Sequence, residues 1–451
     1  MPQMTRRDFV GYTVGSALAG LAGRAVVAQQ AEGKLGANER ISVGLVGLGN
    51  RCRSLTTQIE ELAIPENVAI TAVCDIWEKR RETVAAEIEA RNGRPVRRCR
   101  KMAEICDLPD VDVLVVATPD FQHASLTRQA VEAEKDVYVE KPFGCDFDQI
   151  KQARDAVKKS GRIVQVGTQQ RARGVPWAAR EFIRNGRLGK VSYVEMSQPM
   201  FMQRWRIPGA ETALTEKDTD WNEFLCYLPS TPFNARHYTE FRLFWPYSTG
   251  IFCQWMSHQV DLINLILDEQ PKAVTAVGGV YVWNDGRNNP DTAHCLIEYP
   301  SGCLFSYHMR LGNGADRREM TFYGTNGTLD LGSGLAYGDG GGGEVILKNP
   351  GGIIPDFITD AGTRLPGRER GGVILDAEPD GNHMADFLQA VRSRRQPRAD
   401  IDAAFNHALA TTMAGMSWRM GTRVEYDRLR NVVSPTETDW KKSKANLPFQ
   451  A

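Results

Sequence analysis

Lys141 is the residue whose type and position first suggest chemistry in this sequence. The run at 137–141 is β-branched and aromatic before it reaches Glu140 and Lys141, which is the composition of a buried parallel strand. Pro142 ends the strand, because proline has no N–H group for the ladder. The carboxyl end of such a strand faces the crevice where open α/β sheets bind ligands. We therefore expect the Lys141 ammonium group to hold a substrate oxygen there, with Glu140 bracing the strand end and contacting a bound cofactor.

A glycine turn early in the chain predicts a dinucleotide site. A strand at 41–46 runs into a Gly-Leu-Gly-Asn-Arg turn and then into a helix, which is the context that a dinucleotide fingerprint requires. Gly47 permits the tight turn, and Gly49 lets the backbone approach a pyrophosphate at the helix amino terminus. Asn50 and Arg51 open that helix and are expected beside the cofactor.

The next strand, at 68–74, bears on the choice between two cofactors. It ends at Asp75, and an acidic residue there accepts hydrogen bonds from the ribose hydroxyl groups and repels a 2′-phosphate. NAD is therefore favoured. Lys79 and Arg80 stand close by and could hold that phosphate, so NADP remains the less favoured alternative.

Alternating strands and helices continue to about residue 166 and predict a doubly wound parallel (Rossmann) sheet for residues 38–166. The strand at 112–117 breaks at Thr118 and Pro119, where the chain should cross the cofactor. His123 opens the following helix and is expected at the cofactor's edge or as a helix cap.

These features together resemble the Gfo/Idh/MocA oxidoreductase superfamily. The likeness is carried by the glycine turn, Asp75, Thr118-Pro119 and above all Glu140-Lys141-Pro142, and it extends over nearly all of the chain after the amino-terminal segment. It implies NAD-linked hydride transfer, with Lys141 touching both cofactor and substrate and with Gln169 added to the cofactor contacts.

Residues 167–451 predict a second, α+β domain. Strand-like segments recur at 191–196, 273–282, 293–299, 302–309 and 319–323, several of them joined by glycine-containing turns. Short connections between neighbouring strands indicate an open, largely antiparallel sheet. The family resemblance implies that one face of this sheet covers the cofactor and that the other packs against a partner subunit in a homo-oligomer.

The stretch at 220–267 suggests a carbohydrate substrate. It is crowded with aromatic residues, and although core packing is the default for each one, interspersed arginine, histidine and asparagine suggest that some line a wet cleft. Sugars present apolar faces and a rim of hydroxyl groups, which suits such a lining. Arg171, Tyr238 and Arg242 are the candidate substrate contacts.

A second catalytic candidate follows from the resemblance. Sugar dehydrogenases of the superfamily carry an aspartate and, four residues later, a histidine within a motif shaped like residues 250–261, and His258 matches that histidine. Gln254 stands where the aspartate would be. Because glutamine can hold a hydroxyl group but cannot exchange protons, proton transfer is assigned to His258 and Lys141.

The amino terminus predicts export. Arg6 and Arg7 precede an apolar, glycine-rich run at 11–22, and small residues follow, so residues 1–32 resemble a twin-arginine signal that is handled by the matching export machinery. A periplasmic location is expected. The alternative is a fortuitous arginine pair before an apolar start.

Bulk properties exclude several classes of partner. Lys plus Arg and Asp plus Glu both number 55, so the net charge of zero gives no electrostatic reason to expect nucleic acid or an anionic membrane. Nine cysteines include no C-x-x-C pair and no zinc-site spacing, so no metal is expected. The odd count leaves at least one thiol unpaired or paired between chains.

Export also restricts the reaction, because free NAD is scarce outside the cytoplasm. The principal expectation is an oxidoreductase that keeps its cofactor bound and runs a redox-neutral cycle on sugars. The first alternative is an NAD-dependent glycoside hydrolase that oxidises, eliminates and re-reduces. The second alternative is a binding protein that keeps the fold without chemistry.

Overall fold

The computed structural model describes residues 39–315, 320–338 and 372–435 of the chain. The predicted export signal therefore lies outside the described residues, as does most of the glycine tract at 338–343. Within the described residues no helix is long and apolar enough to cross a bilayer.

Six parallel strands form the first sheet, in the order β3-β2-β1-β4-β5-β6. The strands are β1 (Ile41–Val46), β2 (Val68–Cys74), β3 (Arg97–Cys99), β4 (Val113–Val116), β5 (Asp136–Val139) and β6 (Val164–Val166). The helices between them are α1 (Asn50–Glu61), α2 (Glu78–Asn92), α3 (Met102–Cys106), α4 (His123–Glu132) and α5 (Phe147–Ser160). The strand order reverses between β1 and β4, and the doubly wound parallel sheet predicted from the sequence is confirmed.

Local sequence explains where these helices begin and end. The Asp146 side chain accepts a hydrogen bond from the backbone N–H of Gln149 over 3.1 Å and so caps α5. Gly161 ends α5 and Gly93 ends α2, both in the left-handed conformation that glycine adopts without strain.

The second sheet is mixed but largely antiparallel, as predicted, and its main path runs β15-β14-β13-β12-β7-β10-β9-β8-β16-β17. Its strands are β7 (Val191–Phe201), β8 (Ala273–Gly279), β9 (Thr292–Glu298), β10 (Leu304–Arg310), β11 (Gly312–Asn313), β12 (Met320–Gly324), β13 (Thr328–Asp330), β14 (Leu335–Tyr337), β15 (Gly372–Ile374), β16 (Val424–Asp427) and β17 (Val432–Ser434). Strands β7 and β10 form its parallel pair, whereas the other described pairs are antiparallel.

The α-helices of the second part of the described chain are α6 (Gly174–Arg184), α7 (Trp221–Leu225), α8 (Ala235–Thr239), α9 (Ser257–Leu267), α10 (His383–Ser393) and α11 (Ile401–Met420). Helix α11 is almost wholly buried and packs against α5 and β6 of the first sheet as well as α9 and β8 of the second. It thereby fixes the two sheets to each other around one continuous apolar core.

All nine cysteines are free thiols, and only Cys226 is more than slightly exposed. Cys52, Cys74 and Cys295 are buried in the apolar core, as expected of small hydrophobic residues.

Candidate active site

A cavity of about 240 Å³ lies where the carboxyl ends of the parallel strands meet the second domain. From the first domain, the predicted residues that line it are Arg51, Thr118, His123, Glu140 and Lys141. From the second domain they are Gln169, Arg242, Gln254 and His258. Both catalytic candidates therefore face one small space, although they stand far apart in the sequence.

Glu140 acts as a clamp at the end of β5. Its Oε1 atom accepts hydrogen bonds from Arg51 Nε over 2.7 Å and from Gln169 Nε2 over 3.2 Å. Its Oε2 accepts from the backbone N–H of Lys141 over 3.2 Å. A Cβ atom at Gly167 would lie 2.6 Å from the same carboxylate, so a side chain there would displace it. These contacts fix the backbone from which Lys141 projects.

The Lys141 ammonium group reaches across to the second domain. Its Nζ atom donates to the main-chain carbonyl oxygen of Gln254 over 2.9 Å. Burial lowers the pKa of Lys141 below its usual value, while the carboxylates of Glu140 and Asp120 oppose that shift. The group keeps further N–H donors for a ligand in the cavity.

His258 lies at the start of α9, immediately after a π-helical turn at Phe252–Met256. Its Nδ1 atom is buried and has no hydrogen-bond partner among the described residues. Burial, and then the nearby charge of Lys141, hold the pKa of His258 well below its ordinary range. The imidazole is therefore neutral near pH 7 and can accept a proton.

Asp120 is a cavity residue that the sequence reasoning missed. It is almost fully buried, and its Oδ2 atom accepts hydrogen bonds from Ser248 Oγ over 2.7 Å and from Gln254 Nε2 over 2.5 Å. Gln254 thus uses its amide nitrogen on Asp120 rather than holding a substrate with it. An acidic residue after Thr-Pro was visible, but its partners lie more than a hundred residues away.

Asp120 also belongs to a buried group of metal-ligand types. One such atom from each of Asp120, Cys145 and Cys253 lies within 4.8 Å of the others. The Cys253 thiol accepts from the backbone N–H of Thr249 over 3.3 Å, and hydrogen bonding to Cys253 together with burial raises the pKa of the Cys145 thiol. The Asp120 Oδ2 atom is already occupied by donors, and Cys253 Sγ lies within hydrogen-bonding distance of it, so these residues form a hydrogen-bonded core cluster.

The glycine turn fits the pyrophosphate of a dinucleotide. Gly47 has φ +81°, and a Cβ atom there would lie 2.7 Å from the Thr118 side chain. Nothing lies within 4 Å of the position where a Cβ atom of Gly49 would be, so the space in front of the turn is open. Helix α1 begins at Asn50 with neither a side-chain cap nor an acidic residue in its first turn. Its backbone N–H groups are therefore available for an anion.

Asp75 stands at the end of β2, beside the glycine turn. Its two carboxylate oxygens accept from the backbone N–H groups of Leu48 and Trp77, each over 2.8 Å. Burial raises the pKa of Asp75, whereas Arg80, at 3.9 Å, lowers it. The Arg80 guanidinium stacks over the Trp77 ring. The carboxylate thus orders the loop on which an adenosine ribose would rest.

His123 and Pro119 shape the chain where it crosses the cavity. The ring nitrogens of His123 lie 2.6 Å from the Pro142 carbonyl oxygen and 2.8 Å from the Thr118 carbonyl oxygen. Burial lowers the pKa of His123. Pro119 precedes a short 3-10 turn, and its carbonyl oxygen accepts from the backbone N–H of Gln122 over 3.0 Å. His123 therefore ties the end of β4 to the loop after β5.

Two predicted substrate contacts are wrong. Arg171 is buried and pairs with the Asp261 carboxylate through its Nε atom at 2.8 Å, because a fully buried aspartate on α9 requires a cation. Tyr238 is buried in an aromatic cluster against Trp77 and Phe224, close to Asp75 rather than to the cavity.

The aromatic stretch as a whole is mostly core. Its buried members pack around Phe121 of the first domain in a cluster that includes Trp221, Phe224, Tyr238, Phe241, Phe244 and Tyr247. They hold the two domains together and do not form a broad sugar-binding floor. Trp245 and Trp255 are the partly exposed tryptophans of the stretch.

His407 holds the loop that follows Lys141. His407 of α11 accepts from the backbone N–H of Phe143 over 3.1 Å through its Nε2 atom, and burial lowers its pKa to about 4. Sequence reasoning missed this contact, because no local signal links α11 to the loop after Lys141. His383 lies with its Nε2 atom 3.0 Å from the Val166 carbonyl oxygen and does not line the cavity.

Comparison with known families gives matches over both domains. A model of the oxidoreductase family with an NAD-binding Rossmann fold, Gfo/Idh/MocA, matches residues 41–168. A model of the GFO/IDH/MocA C-terminal domain matches residues 227–330.

Individual proteins show the same likeness. A scyllo-inositol 2-dehydrogenase (NAD(+)) of Bacillus subtilis is 25% identical over 338 residues, which cover 72% of this chain and 80% of that protein. A glycosyl hydrolase family 109 protein of Saccharopolyspora erythraea is 33% identical over 130 residues, 28% of each chain. The solved structure of the WlbA dehydrogenase from Bordetella pertussis, in complex with NADH and UDP-GlcNAcA, has a TM-score of 0.60 at 18% identity, covering 86% of this chain and 99% of that chain. The last of these likenesses is one of fold alone.

Proposed function

The chain belongs to the Gfo/Idh/MocA family of NAD-dependent oxidoreductases, and from that premise we propose that it oxidises a hydroxyl group of a sugar or sugar derivative. The observation that carries the proposal is that Lys141 and His258 line the same small cavity at the edge of the parallel sheet. An ammonium donor and a neutral imidazole that face one cavity suit the oxidation of an alcohol, because the hydroxyl group must lose its proton.

The residues divide the work by charge state. When bound, NAD accepts a hydride from the carbon that bears the hydroxyl group. His258, neutral because burial and Lys141 lower its pKa, takes the hydroxyl proton. Lys141, with its Nζ atom already oriented by the Gln254 carbonyl, donates a hydrogen bond to the same oxygen and stabilises the developing negative charge. Glu140 holds the backbone of this lysine and takes no proton itself.

NAD is preferred over NADP in this proposal. The buried Asp75 carboxylate lies where a 2′-phosphate would approach, and like charges repel there. Arg80 is the cation that could favour the phosphate, but it lies 3.9 Å from Asp75 and stacks on Trp77. These contacts hold Arg80 on the Asp75 loop and away from a 2′-phosphate.

We also propose that the protein acts in the periplasm after twin-arginine export. Support comes from Arg6 and Arg7 before the apolar run at 11–22. Export of an already folded chain is consistent with nine free thiols, because burial shields most of them from oxidants. Outside the cytoplasm the cofactor should stay bound, and the hydride taken from one sugar would be passed to a second sugar, which is reduced in the same cycle.

A glycoside hydrolase that uses the same cofactor transiently is the second candidate. It is favoured by the replacement of the family's aspartate by Gln254 and by similarity to a family 109 glycosyl hydrolase. In that reaction a ring carbon is oxidised, the neighbouring C–H is deprotonated, the aglycone leaves, water adds and the hydride returns. A non-catalytic binding protein is the third candidate. The presence of both Lys141 and His258 in the lining of one cavity argues against it.

A homo-oligomer is proposed through the outer face of the second sheet. Val277, Leu296 and Tyr323 are exposed apolar side chains on three strands of that face. Apolar surface of this kind is typical of a face that packs against a second copy. Sedimentation of the purified protein tests it.

The experiment that tests the function begins with the nucleotide that co-purifies. Mass spectrometry of denatured protein should release NAD in near-stoichiometric amount, and adding an oxidisable sugar should produce the fluorescence of reduced nicotinamide without added cofactor. Cleavage of aryl glycosides under the same conditions would select the hydrolase. Protein that neither carries nor binds NAD, and that NAD does not stabilise against heat, would rule out both enzymes.

A further inference from the structure

Arg242 is a cation without a counter-charge in the lining of the candidate active site. It lines the cavity on the side of the second domain, and it influences the pKa of Lys141 through space. Its guanidinium group rests on the face of the Phe241 ring, 4.3 Å from the ring centroid. The guanidinium group makes no ion pair and donates no hydrogen bond to any residue within 39–315, 320–338 or 372–435.

The other charges of the cavity are already matched. Arg51 pairs with Glu140 at 2.7 Å. Lys141 lies in the field of the Glu140 and Asp120 carboxylates, and the Asp120 Oδ2 atom is occupied by two donors. With both histidines neutral, three cations and two carboxylates line the cavity, which leaves one positive charge unmatched at Arg242.

A second arginine adds to this positive region from behind. Arg419 lies between the rings of Trp245 and Trp418, with distances of 4.6 and 4.9 Å to the ring centroids. Asn289 links the two arginines, because its side chain donates to the Arg242 carbonyl oxygen over 3.1 Å and accepts from Arg419 over 3.3 Å. Within the described part of the chain Arg419 has no acidic partner, and burial lowers its pKa to about 9.

A partly buried cation without a partner is costly unless a ligand supplies the opposite charge. We infer that the Arg242 guanidinium group binds a carboxylate carried by the sugar, so that the substrate is a sugar acid. This inference rests on the proposed function, since it places the acid on the molecule whose hydroxyl group meets Lys141 and His258. The planar guanidinium matches a carboxylate with two parallel hydrogen bonds, which a neutral hydroxymethyl group cannot form.

The matched ligands for a test are methyl β-D-glucuronide and methyl β-D-glucoside, which differ only in a carboxylate against a hydroxymethyl group, together with the corresponding galacto pair. Calorimetry on NAD-loaded protein should show the acid binding about 10- to 100-fold more tightly than its neutral partner in at least one pair. Arg242→Gln should bring this ratio close to one. Arg242→Lys should keep part of it, because the charge remains but the fork is lost.

Arg184→Gln is the matched control, since Arg184 is an exposed arginine on α6 whose removal changes the net charge equally. It should leave the ratio as in the unaltered protein. Equal affinity for acid and neutral ligands in both pairs, or a ratio that survives Arg242→Gln, would overturn the inference. So would a loss of NAD affinity in place of acid affinity, because Arg242 would then serve the cofactor phosphate.

The same titrations separate this inference from the function on which it rests. Tighter binding of the acid that depends on Arg242, without any reduced nicotinamide, would sustain the carboxylate site and count against the oxidoreductase. Reduced nicotinamide formed equally well from neutral and acidic sugars would sustain the oxidoreductase and count against the carboxylate site.

Discussion

The Nζ atom of Lys141 donates a hydrogen bond to the main-chain carbonyl oxygen of Gln254 over 2.9 Å, and this contact joins the two domains at the candidate active site. The donor lies two residues beyond the end of β5, and the acceptor lies in the π-helical turn before α9. π-Helical turns inside helices are often found at functional sites. Here the turn presents one carbonyl to the lysine and places His258 on the same cavity.

Replacement of Lys141 should abolish most of the hydride transfer. Lys141→Met removes the donor that stabilises the substrate oxygen, and we expect the single-turnover rate of nicotinamide reduction to fall by about 10²- to 10⁴-fold. Lys141→Arg should recover only part of the rate, because a planar fork does not fit the position of a compact ammonium group. Co-purified NAD, measured in each variant, controls for a collapsed site. A Lys141→Met protein that keeps both NAD and rate would contradict the assignment.

The position of Lys141 could be predicted because it depends on local rules. A β-branched run that ends at a proline indicates a strand end, and parallel strands place their carboxyl ends on one edge. The glycine turn follows equally from Gly47, whose φ of +81° and contact with Thr118 exclude a side chain. Both are properties of a short stretch of sequence.

The roles of Asp120 and Arg171 could not be predicted from local sequence, because their partners are distant in the chain. Asp120 meets Gln254 across 134 residues of chain, and Arg171 meets Asp261 across 90. Whether an arginine faces a ligand or a buried aspartate depends on which helix packs beside it. The same holds for the aromatic stretch at 220–267, whose buried rings pack around Phe121 of the first domain.

The rate should be constant over a central pH range and should fall at an acid edge and at an alkaline edge. The pKa shifts of His258 and Lys141 set the positions of these two edges. His258 must be neutral to accept a proton, and because its folded pKa lies well below 6.5, the acid edge should lie below that value. Lys141 must carry its proton, and because burial lowers its pKa below 10.5, the alkaline edge should lie below that value. Profiles of kcat/KM for NAD-loaded protein between about pH 4 and 10 measure both.

Variants assign each edge to a residue. Lys141→Arg should move the alkaline edge upward, since arginine stays protonated throughout this range. His258→Gln should flatten the acid edge and lower the plateau by about 10²-fold or more. An acid edge unchanged in His258→Gln would mean that another group takes the proton.

The contact between Asp120 and Gln254 should require one carboxylate and one amide. A change at Gln254 alone should therefore destabilise the protein, and a compensating change at Asp120 should restore its stability. Gln254→Glu sets two carboxylates about as close as the present 2.5 Å contact, so one of them must bind a proton in the folded state. Its folded pKa is then raised, and stability is lost as the pH rises above the unfolded value of about 4.3. The melting temperature of Gln254→Glu should therefore fall further below that of the unaltered protein at pH 8 than at pH 5.

The double variant Asp120→Asn with Gln254→Glu restores one amide and one carboxylate with their roles reversed. It should regain most of the stability lost in Gln254→Glu, with a coupling free energy of about 1 to 3 kcal/mol in a double-mutant cycle. Additive effects of the two changes would show that the side chains do not interact in the folded protein.

Buried histidines should make the protein lose stability in mild acid. His407 is wholly buried, accepts from the backbone N–H of Phe143 and has its pKa lowered from 6.5 to about 4. The unfolded chain binds a proton at this residue below about pH 6.5, whereas the folded chain does so only near pH 4. The free energy of unfolding should therefore fall as the pH drops from about 6.5 toward 4, by about 3 kcal/mol from His407 alone. Urea titrations at several pH values measure this loss. His407→Gln, which cannot titrate, should lose about 3 kcal/mol less over the same interval, and an identical pH dependence in that variant would mean that His407 is protonated in the folded protein.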